Sequence, residues 1–332
     1  MIVSYDTIYS MKPTFKISLK ILNLCSQITR LLGQYDGLKQ PKPQPVLRRH
    51  SRIKSIQSSL AIEGNSLTEE QITALLNNKR VLGPQKDIIE VKNAIKAYDA
   101  IRSYNVYSIK SFLSAHNTML HGLTADAGQL RNSNVGIFKG EKVAHIAPKF
   151  QLVPKLMDGL FSFLKEKSDI HPLVKSSVFH YEVEFIHPFS DGNGRMGRLW
   201  QSAILLNYHP IFEYIPIESI IKKKQRQYYK VLADSDKTGS STKFIEFILI
   251  AIYQATKEFF IELRPETETI ETRVSLAKDY FKKRSFSRKD YLTLHKNIST
   301  ATASRDLLFC IKHKILKKSG KKALTRYSFC RS

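Results

Sequence analysis

Twelve consecutive residues carry most of the reactive chemistry in this sequence: His187-Pro188-Phe189-Ser190-Asp191-Gly192-Asn193-Gly194-Arg195-Met196-Gly197-Arg198. Gly192, Asn193 and Gly194 allow a tight backbone turn with φ > 0. Unsatisfied N–H groups at the start of a following helix, together with the positive end of its dipole, make an anion site. Arg195 and Arg198 add two guanidinium forks matched to phosphate oxygens. Asp191 beside them is a hard oxygen ligand of the kind Mg²⁺ takes. His187, with an ordinary pKa of about 6.5, suits a proton acceptor for an attacking hydroxyl. A base, a metal ligand, an anion nest and two arginines in one run point to phosphoryl or nucleotidyl transfer.

The same run resembles, in full, the HPFx(D/E)GNGRxxR signature of the Fic family, and the likeness extends over about residues 1–265. The resemblance implies transfer of AMP from ATP to a Ser, Thr or Tyr hydroxyl of a target protein, with release of pyrophosphate. It implies His187 as general base and Asp191 as the Mg²⁺ ligand. Gly192, Asn193 and Gly194 would form the anion hole, with Met196 and Gly197 completing the nucleotide-binding run. Arg195 and Arg198 would clamp phosphates, Arg198 towards the γ-phosphate. Phe189 would anchor the loop in the core. Val135, Gly136, Ile137 and Phe138 begin a segment resembling the family's flap, which docks the target by strand addition. Tyr228 and Tyr229 resemble the pair that lines the nucleotide base and ribose. Aromatic residues on an amphipathic helix are equally common as core.

A second resemblance lies upstream. Ser59-Leu60-Ala61-Ile62-Glu63-Gly64 matches the family's inhibitory motif, (S/T)xxxE(G/N). In relatives this glutamate pairs with the second arginine of the loop, here Arg198. A carboxylate there competes with a γ-phosphate for one guanidinium fork. It either excludes ATP or leaves the α-phosphate out of line for attack. The runs LLGQYDGL and LRRHSRIKSIQSSLAIEGN resemble the N-terminal region of Fic proteins that end in a winged helix. The resemblance thus implies three regions: a helical region with the inhibitory helix over 1–105, a Fic catalytic domain over 106–265, and a winged helix-turn-helix over 266–332.

These residues need elements to position them, and hydrophobic spacing supplies mostly helices. It predicts helices over 14–36, 47–62 and 68–77, with Thr68 and Gln71 as a capping box. Pro41, Pro43 and Pro45 predict an extended linker between the first two. Further helices are expected at 87–103, 107–120, 152–166, 173–186, 193–207, 219–233 and 242–263. One β-hairpin is expected before residue 267, from Val135 to Phe138 and from Val143 to Ile146, turning at Lys139-Gly140-Glu141-Lys142. The body is therefore mainly α with one small hairpin, and the reactive loop is a helix–loop–helix junction.

After a linker at 264–267, helices are expected at 268–283, 287–294 and 299–314, with Ser287 as N-cap. The third places Leu307, Leu308, Ile311 and Ile315 on one face, with Thr302 and Arg305 on the other. Two strands, 315–318 and 324–329, turn at Ser319-Gly320-Lys321-Lys322. Three helices and a basic hairpin are the winged-helix arrangement, which serves DNA binding in some proteins and protein contacts in others.

Charge agrees with that division. The 332 residues hold 53 Lys+Arg and 29 Asp+Glu, a net +24. Residues 267–332 carry +12 of it, so the last fifth of the chain holds half the excess. A polyanionic partner is implied. The fractions of hydrophobic (42%) and charged (25%) residues exclude a mostly disordered chain. Three scattered cysteines, Cys25, Cys310 and Cys330, exclude a disulfide scaffold or a cysteine-based zinc site and favour a reducing, cytoplasmic setting. The stretch from Met1 to Phe15 lacks a signal-type apolar run. The most apolar run, 244–253, is short and broken by Glu246, so no membrane span is expected. Two functional readings compete: an autoinhibited adenylyltransferase, for which the family makes a homodimer plausible, and a nucleotide-sensing DNA-binding regulator. AMP removal by the same site is a variant of the first.

Overall fold

The structure is a computed structural model that describes residues 12–37, 45–139, 142–263, 269–282, 284–295, 298–320 and 325–330. Residues 38–44 of the linker expected over 38–46, the linker expected at 264–267, the tip of the first hairpin at 140–141 and the segment 321–324 lie outside the described residues. The chain divides into two compact units, 1–261 and 262–332. The two regions expected over 1–105 and 106–265 form one unit, not two.

In the first unit the helices are α1 (Leu19–Gly37), α2 (Pro45–Ile62), α3 (Glu69–Leu76), α4 (Gln85–Asp99), α5 (Ile109–Leu120), α6 (Val153–Lys165), α7 (Pro172–Ile186), α8 (Asn193–Tyr208), α9 (Ile217–Lys223), α10 (Gln225–Thr238) and α11 (Thr242–Leu263). One antiparallel hairpin interrupts them, β1 (Gly136–Lys139) with β2 (Lys142–Ile146). Its register pairs Gly136 with Ile146 and Lys139 with Lys142, with a bulge between Ile137 and Phe138.

Several boundaries differ from the expected ones for local reasons. α1 starts at Leu19 because Ser18 Oγ accepts the Ile21 N–H at 3.2 Å and so caps the helix there. Pro45 belongs to α2 rather than to the linker. Its missing N–H is harmless in a first turn, where that donor would have no helical acceptor. The helix expected at 87–103 ends at Asp99, followed by a 3₁₀ turn, Ile101–Ser103. The helix expected at 219–233 is two helices, broken at Lys224 (φ −114°, ψ 28°). The capping box on α3 forms as expected, Thr68 with Gln71.

The core sits around α7, which is buried nearly all round. Phe112 of α5, Phe161 of α6, Phe179 of α7 and Trp200 of α8 form one aromatic cluster, with the Phe112 and Trp200 rings edge to face at 5.0 Å. This geometry uses the ring quadrupoles favourably. It fixes α7 against α8, and with them the loop between. α2 packs on α9 and α4, which brings its C-terminal end to α8.

The second unit has helices α12 (Ile270–Phe281), α13 (Arg288–Leu294) and α14 (Thr300–Lys312), then the antiparallel strands β3 (Leu316–Ser319) and β4 (Arg326–Phe329). Ser287 caps α13 in a capping box with Asp290. Phe286 adds a bridge to Tyr327, donating at 2.9 Å and accepting at 2.8 Å. Phe281 stacks on Phe286 at 4.2 Å within a core that includes Val274, Tyr291, Leu307 and Leu316. Leu308 departs from expectation: it is 71% exposed. Ala303, Leu307 and Cys310 take the inward positions of α14, and Leu308 is turned about 100° away from Leu307.

The sequence pattern also gave no hint of a buried ion pair in this unit. Arg273 donates through Nε and Nη2 to Asp306 at 2.6 and 2.8 Å, and the Tyr291 hydroxyl donates to the same carboxylate at 3.3 Å. Removing one partner leaves a charge with no answer. Asp306→Ala should therefore destabilise the second unit by about 3 kcal/mol. Hydrogen exchange should show faster amides in α12–α14 and unchanged protection in α7 and α8.

Candidate active site

The reactive loop begins where α7 stops. His187 has φ 52° and ψ 59°, a left-handed conformation in a residue that is not glycine. Pro188 bars continuation of the helix. The left-handed turn costs roughly 1–2 kcal/mol by itself, so the surroundings must hold it. His187 N–H donates to Val183 O at 3.0 Å, and its carbonyl accepts Arg131 Nε at 2.8 Å. Nδ1 of His187 lies 3.4 Å from Glu184 O. A carbonyl can only accept, so that contact makes Nδ1 the protonated nitrogen and Nε2 the basic one.

Three buried side chains shape the rest of the loop. Asn193 accepts the Phe189 N–H and donates to the Phe189 carbonyl, both at 2.9 Å. Its side chain is therefore a clamp on the loop, and only its backbone is available to an anion. Phe189 is fully buried and stacks on His116 with the ring centres 3.6 Å apart. His116 accepts the Gly128 N–H at Nδ1 (2.8 Å), so Nε2 carries the proton donated to Asp191 O (3.0 Å). Burial lowers the His116 pKa, in keeping with this neutral form.

Gly192 (φ 85°) caps α8 through its backbone, with no side chain on the first-turn amides. A Cβ there would sit 2.6 Å from Leu120 Cδ2. Those amides lack helical acceptors. A Cβ on Gly194 would fall 2.5 Å from Glu63 Oε1, 3.0 Å from Arg198 Nη1 and 3.2 Å from Glu184 Oε1. Gly194 thus keeps open the space where the amides, Arg198 and two carboxylates meet.

Arg195 and Arg198 are both buried. Arg195 bridges Asp191 Oδ1 (2.9 Å) and Glu90 Oε1 (3.1 Å). Glu90 Oε2 also accepts from Asn65 Nδ2 at 2.8 Å, two residues after Glu63. Arg198, 1% exposed, donates to Ser59 Oγ (3.0 Å), Ser59 O (3.0 Å) and Glu63 Oε1 (2.6 Å). Burial opposes its charge, but Glu63, Tyr228 and Glu184 outweigh that and raise its pKa. Arg198 Nη1 has no hydrogen-bond partner among the described residues. Gly64 (φ 92°) ends α2 just past Glu63. The α2 end is pinned at the Ile62 carbonyl by Gln225 Nε2 (2.9 Å) and the Tyr229 hydroxyl (3.3 Å).

Other expected site residues fall elsewhere. Met196 is in the core, and Gly197 lies against His180, 2.7 Å from a would-be Cβ. Tyr228 is fully buried, and its hydroxyl donates to Glu184 Oε1 at 2.8 Å. It presents no surface to a ligand in this conformation; Tyr229 is partly exposed. Burial works against ionised Glu184, yet the His180 ring 3.8 Å away, the charge of Arg198 and the bond from Tyr228 bring its pKa down to about 2. Gly136, Ile137 and Phe138 lie in β1 and Val135 immediately before it.

Sequence reasoning missed Arg131, His116, Glu90 and Glu184. Arg131 is the most connected of these. It is buried, and it donates to His187 O, Ser133 O (2.7 Å), Pro148 O (2.5 Å) and Ile186 O (3.4 Å). Its own N–H donates to Pro188 O at 2.9 Å. One guanidinium thus ties the reactive loop to both ends of the segment bearing the hairpin. No periodicity marks such a residue; it bonds only backbone.

Comparison with known proteins gives the family. The Fic/DOC family model matches residues 107–205. A Fic family protein from Desulfovibrio desulfuricans G20 has a solved structure similar over 97% of this chain and 99% of its own, at 37% identity and a TM-score of 0.74. The chain belongs to the Fic family. It is similar over 60% of its length to proteins called protein adenylyltransferase Fic, 27% identical in Nematostella vectensis and 28% in Aedes aegypti. It spans 47% and 40% of the length of those two relatives.

Arg131→Ala leaves several carbonyls without a donor, each costing about 1–3 kcal/mol when buried. The variant should lose about 3 kcal/mol in urea unfolding, and the amides of 186–192 should exchange faster than those of α6. Unchanged exchange in the loop would contradict the assigned role.

Proposed function

We propose that the chain is an autoinhibited protein adenylyltransferase, moving AMP from ATP to a Ser, Thr or Tyr hydroxyl of a target protein. The observation that carries this reading is the Gly194 space. It is bordered by the first-turn amides of α8, which no cap side chain bonds, and by Arg198 Nη1, without a partner among the described residues, and Glu63 now stands at its edge. Donors in that number suit a polyphosphate.

In this reading, the target hydroxyl is presented along the edge of β1, by main-chain bonds that need no fixed sequence. His187 Nε2 accepts the hydroxyl proton as the oxygen attacks the α-phosphorus. The bond to pyrophosphate breaks, and pyrophosphate leaves towards Arg195 and Arg198. Asp191 fits Mg²⁺: its side chain is 52% exposed, and both its bonds, from Gly192 N–H and Arg195, fall on Oδ1. Mg²⁺ is commonly held by one or two carboxylates with substrate phosphates and water. Bound there, the ion would neutralise phosphate charge.

Glu63 explains the resting state. Its carboxylate takes the Arg198 fork that a γ-phosphate would use, and displacement of the substrate by about 1 Å costs about 10²-fold in rate. The free thiols and the lack, among the described residues, of any helix long and apolar enough to cross a membrane are compatible with a cytoplasmic setting.

For the second unit we propose a winged helix that contacts a polyanion. The net +12 of residues 267–332 and the exposed Arg305 and Lys312 on α14 support this.

With ATP labelled on the α-phosphate, Glu63→Gly should raise protein labelling at least about tenfold, and His187→Ala in that background should lower it by about 10²–10⁴. Absence of label with Glu63→Gly would sink the enzyme reading; transfer of label from γ-labelled ATP instead would replace it with a kinase. Glu63→Gly should also cost about 2 kcal/mol of stability, less than for a fully buried pair because Glu63 is 34% exposed. For the second unit, affinity for mixed-sequence duplex DNA should fall steeply with salt. Binding that ignores salt would speak for a protein partner.

A further inference from the structure

A cavity of about 390 Å³ lies on the same face of α2 that holds Arg198, nearer the start of the helix. Arg48, Arg52 and Ser55 line it, and Ser59 and Glu63 continue that stripe at helical spacing. Ser55 and Glu63 are about 12 Å apart along the axis. The volume is within the range of small-molecule sites, about 300–1,000 Å³.

The rim is cationic. At the rim, among the described residues, Arg48, Arg52 and Arg102 meet two carboxylates, Asp99 and Glu213. Arg102 takes Glu213 in a fork at 2.9 and 2.6 Å, Arg48 reaches the same group at 3.6 Å, and Arg52 pairs with Asp99. Arg52 Nε is buried with no acceptor among the described residues. Leu206, Phe212 and Ile215 make the walls apolar.

The depth of the cavity has the opposite polarity. Ser55 and Ser202 both spend their single hydroxyl proton on the buried Glu218, at 2.8 and 2.9 Å. Each therefore offers only lone pairs to an occupant. Tyr98 faces both the cavity and the active site: its hydroxyl donates to Glu218 at 3.1 Å, and its phenol lies close enough to Arg198 to feel that charge.

We propose that this cavity binds an organic anion carrying an N–H or O–H donor at the end away from its charge, and that the occupant reinforces the Glu63–Arg198 contact. The charge would sit among the arginines, the body against the apolar walls and the donor on Ser55 and Ser202. The cavity wall is α2 in its docked position, so a ligand complementary to it stabilises that position. The regulatory half rests on the autoinhibited reading above. The binding half needs neither ATP nor transfer activity.

The test uses the full chain without ATP and 6-amino-2-naphthoate as probe, followed by calorimetry. One saturable site is expected. 2-Naphthoate, which lacks the donor, and 2-naphthylamine, which lacks the charge, should each bind at least about tenfold more weakly. Arg52→Ala should weaken the probe about tenfold, Leu206→Trp should fill the cavity and abolish binding, and His187→Ala should leave it intact. By linkage, Glu63→Gly should weaken the probe as well. No saturable binding, equal binding of the two control compounds, or binding that survives both Arg52→Ala and Leu206→Trp would overturn the site. Unchanged affinity in Glu63→Gly would overturn its connection to Arg198. Loss of transfer activity would touch neither result.

Discussion

A guanidinium buried in a protein must be answered by an anion or by many acceptors, because an isolated charge there is costly. Arg198 is that group here, and much of the first unit is arranged around it. Ser59 supplies a hydroxyl and a carbonyl, Glu63 supplies a carboxylate, and Glu184 adds negative charge from the neighbouring helix. The two N–H groups of Nη1 are still left over among the described residues, beside the space at Gly194. An arginine held this way does not wait for a ligand in an unordered state. It is already charged, oriented and dry, and the proposed inhibition and the proposed phosphate binding both draw on the same fork.

The loop beside it is rigid for a different reason. Its residues make few side-chain contacts with one another; they are gripped by groups that bond backbone. Asn193 closes on Phe189, His116 reaches Asp191 O, and Arg131 collects the carbonyls of 186 and 187 together with those at the ends of the hairpin segment. This lattice offsets the unfavourable turn at His187 and keeps its imidazole at one position. It also means that the segment proposed to offer a strand edge and the segment proposed to offer the base share one anchor.

Net charge alone says little about where a polyanion binds. Half of the excess belongs to residues 267–332, where one arginine is already spent on Asp306. In the first unit Arg195 and Arg198 are committed to carboxylates, and three further arginines frame the cavity along α2. The distribution of partners, not the total, distinguishes these groups.

The sequence by itself determined the family, the mainly helical body, the place of the reactive loop and the Glu63–Arg198 pairing. Those features are local: periodic apolar spacing, capping residues and two contiguous motifs. It also placed the hairpin within a residue or so, because turn and strand residues adjoin there. Tertiary structure alone decided what distant side chains do. Arg131, Glu90, His116 and Glu184 reach the site from segments with no motif, since a buried polar residue is chosen by the atoms it must satisfy and not by its neighbours in the chain. The same reason moved Tyr228 and Met196 into the core and turned Leu308 outward: spacing says which residues share a helix face, and only packing says what that face meets.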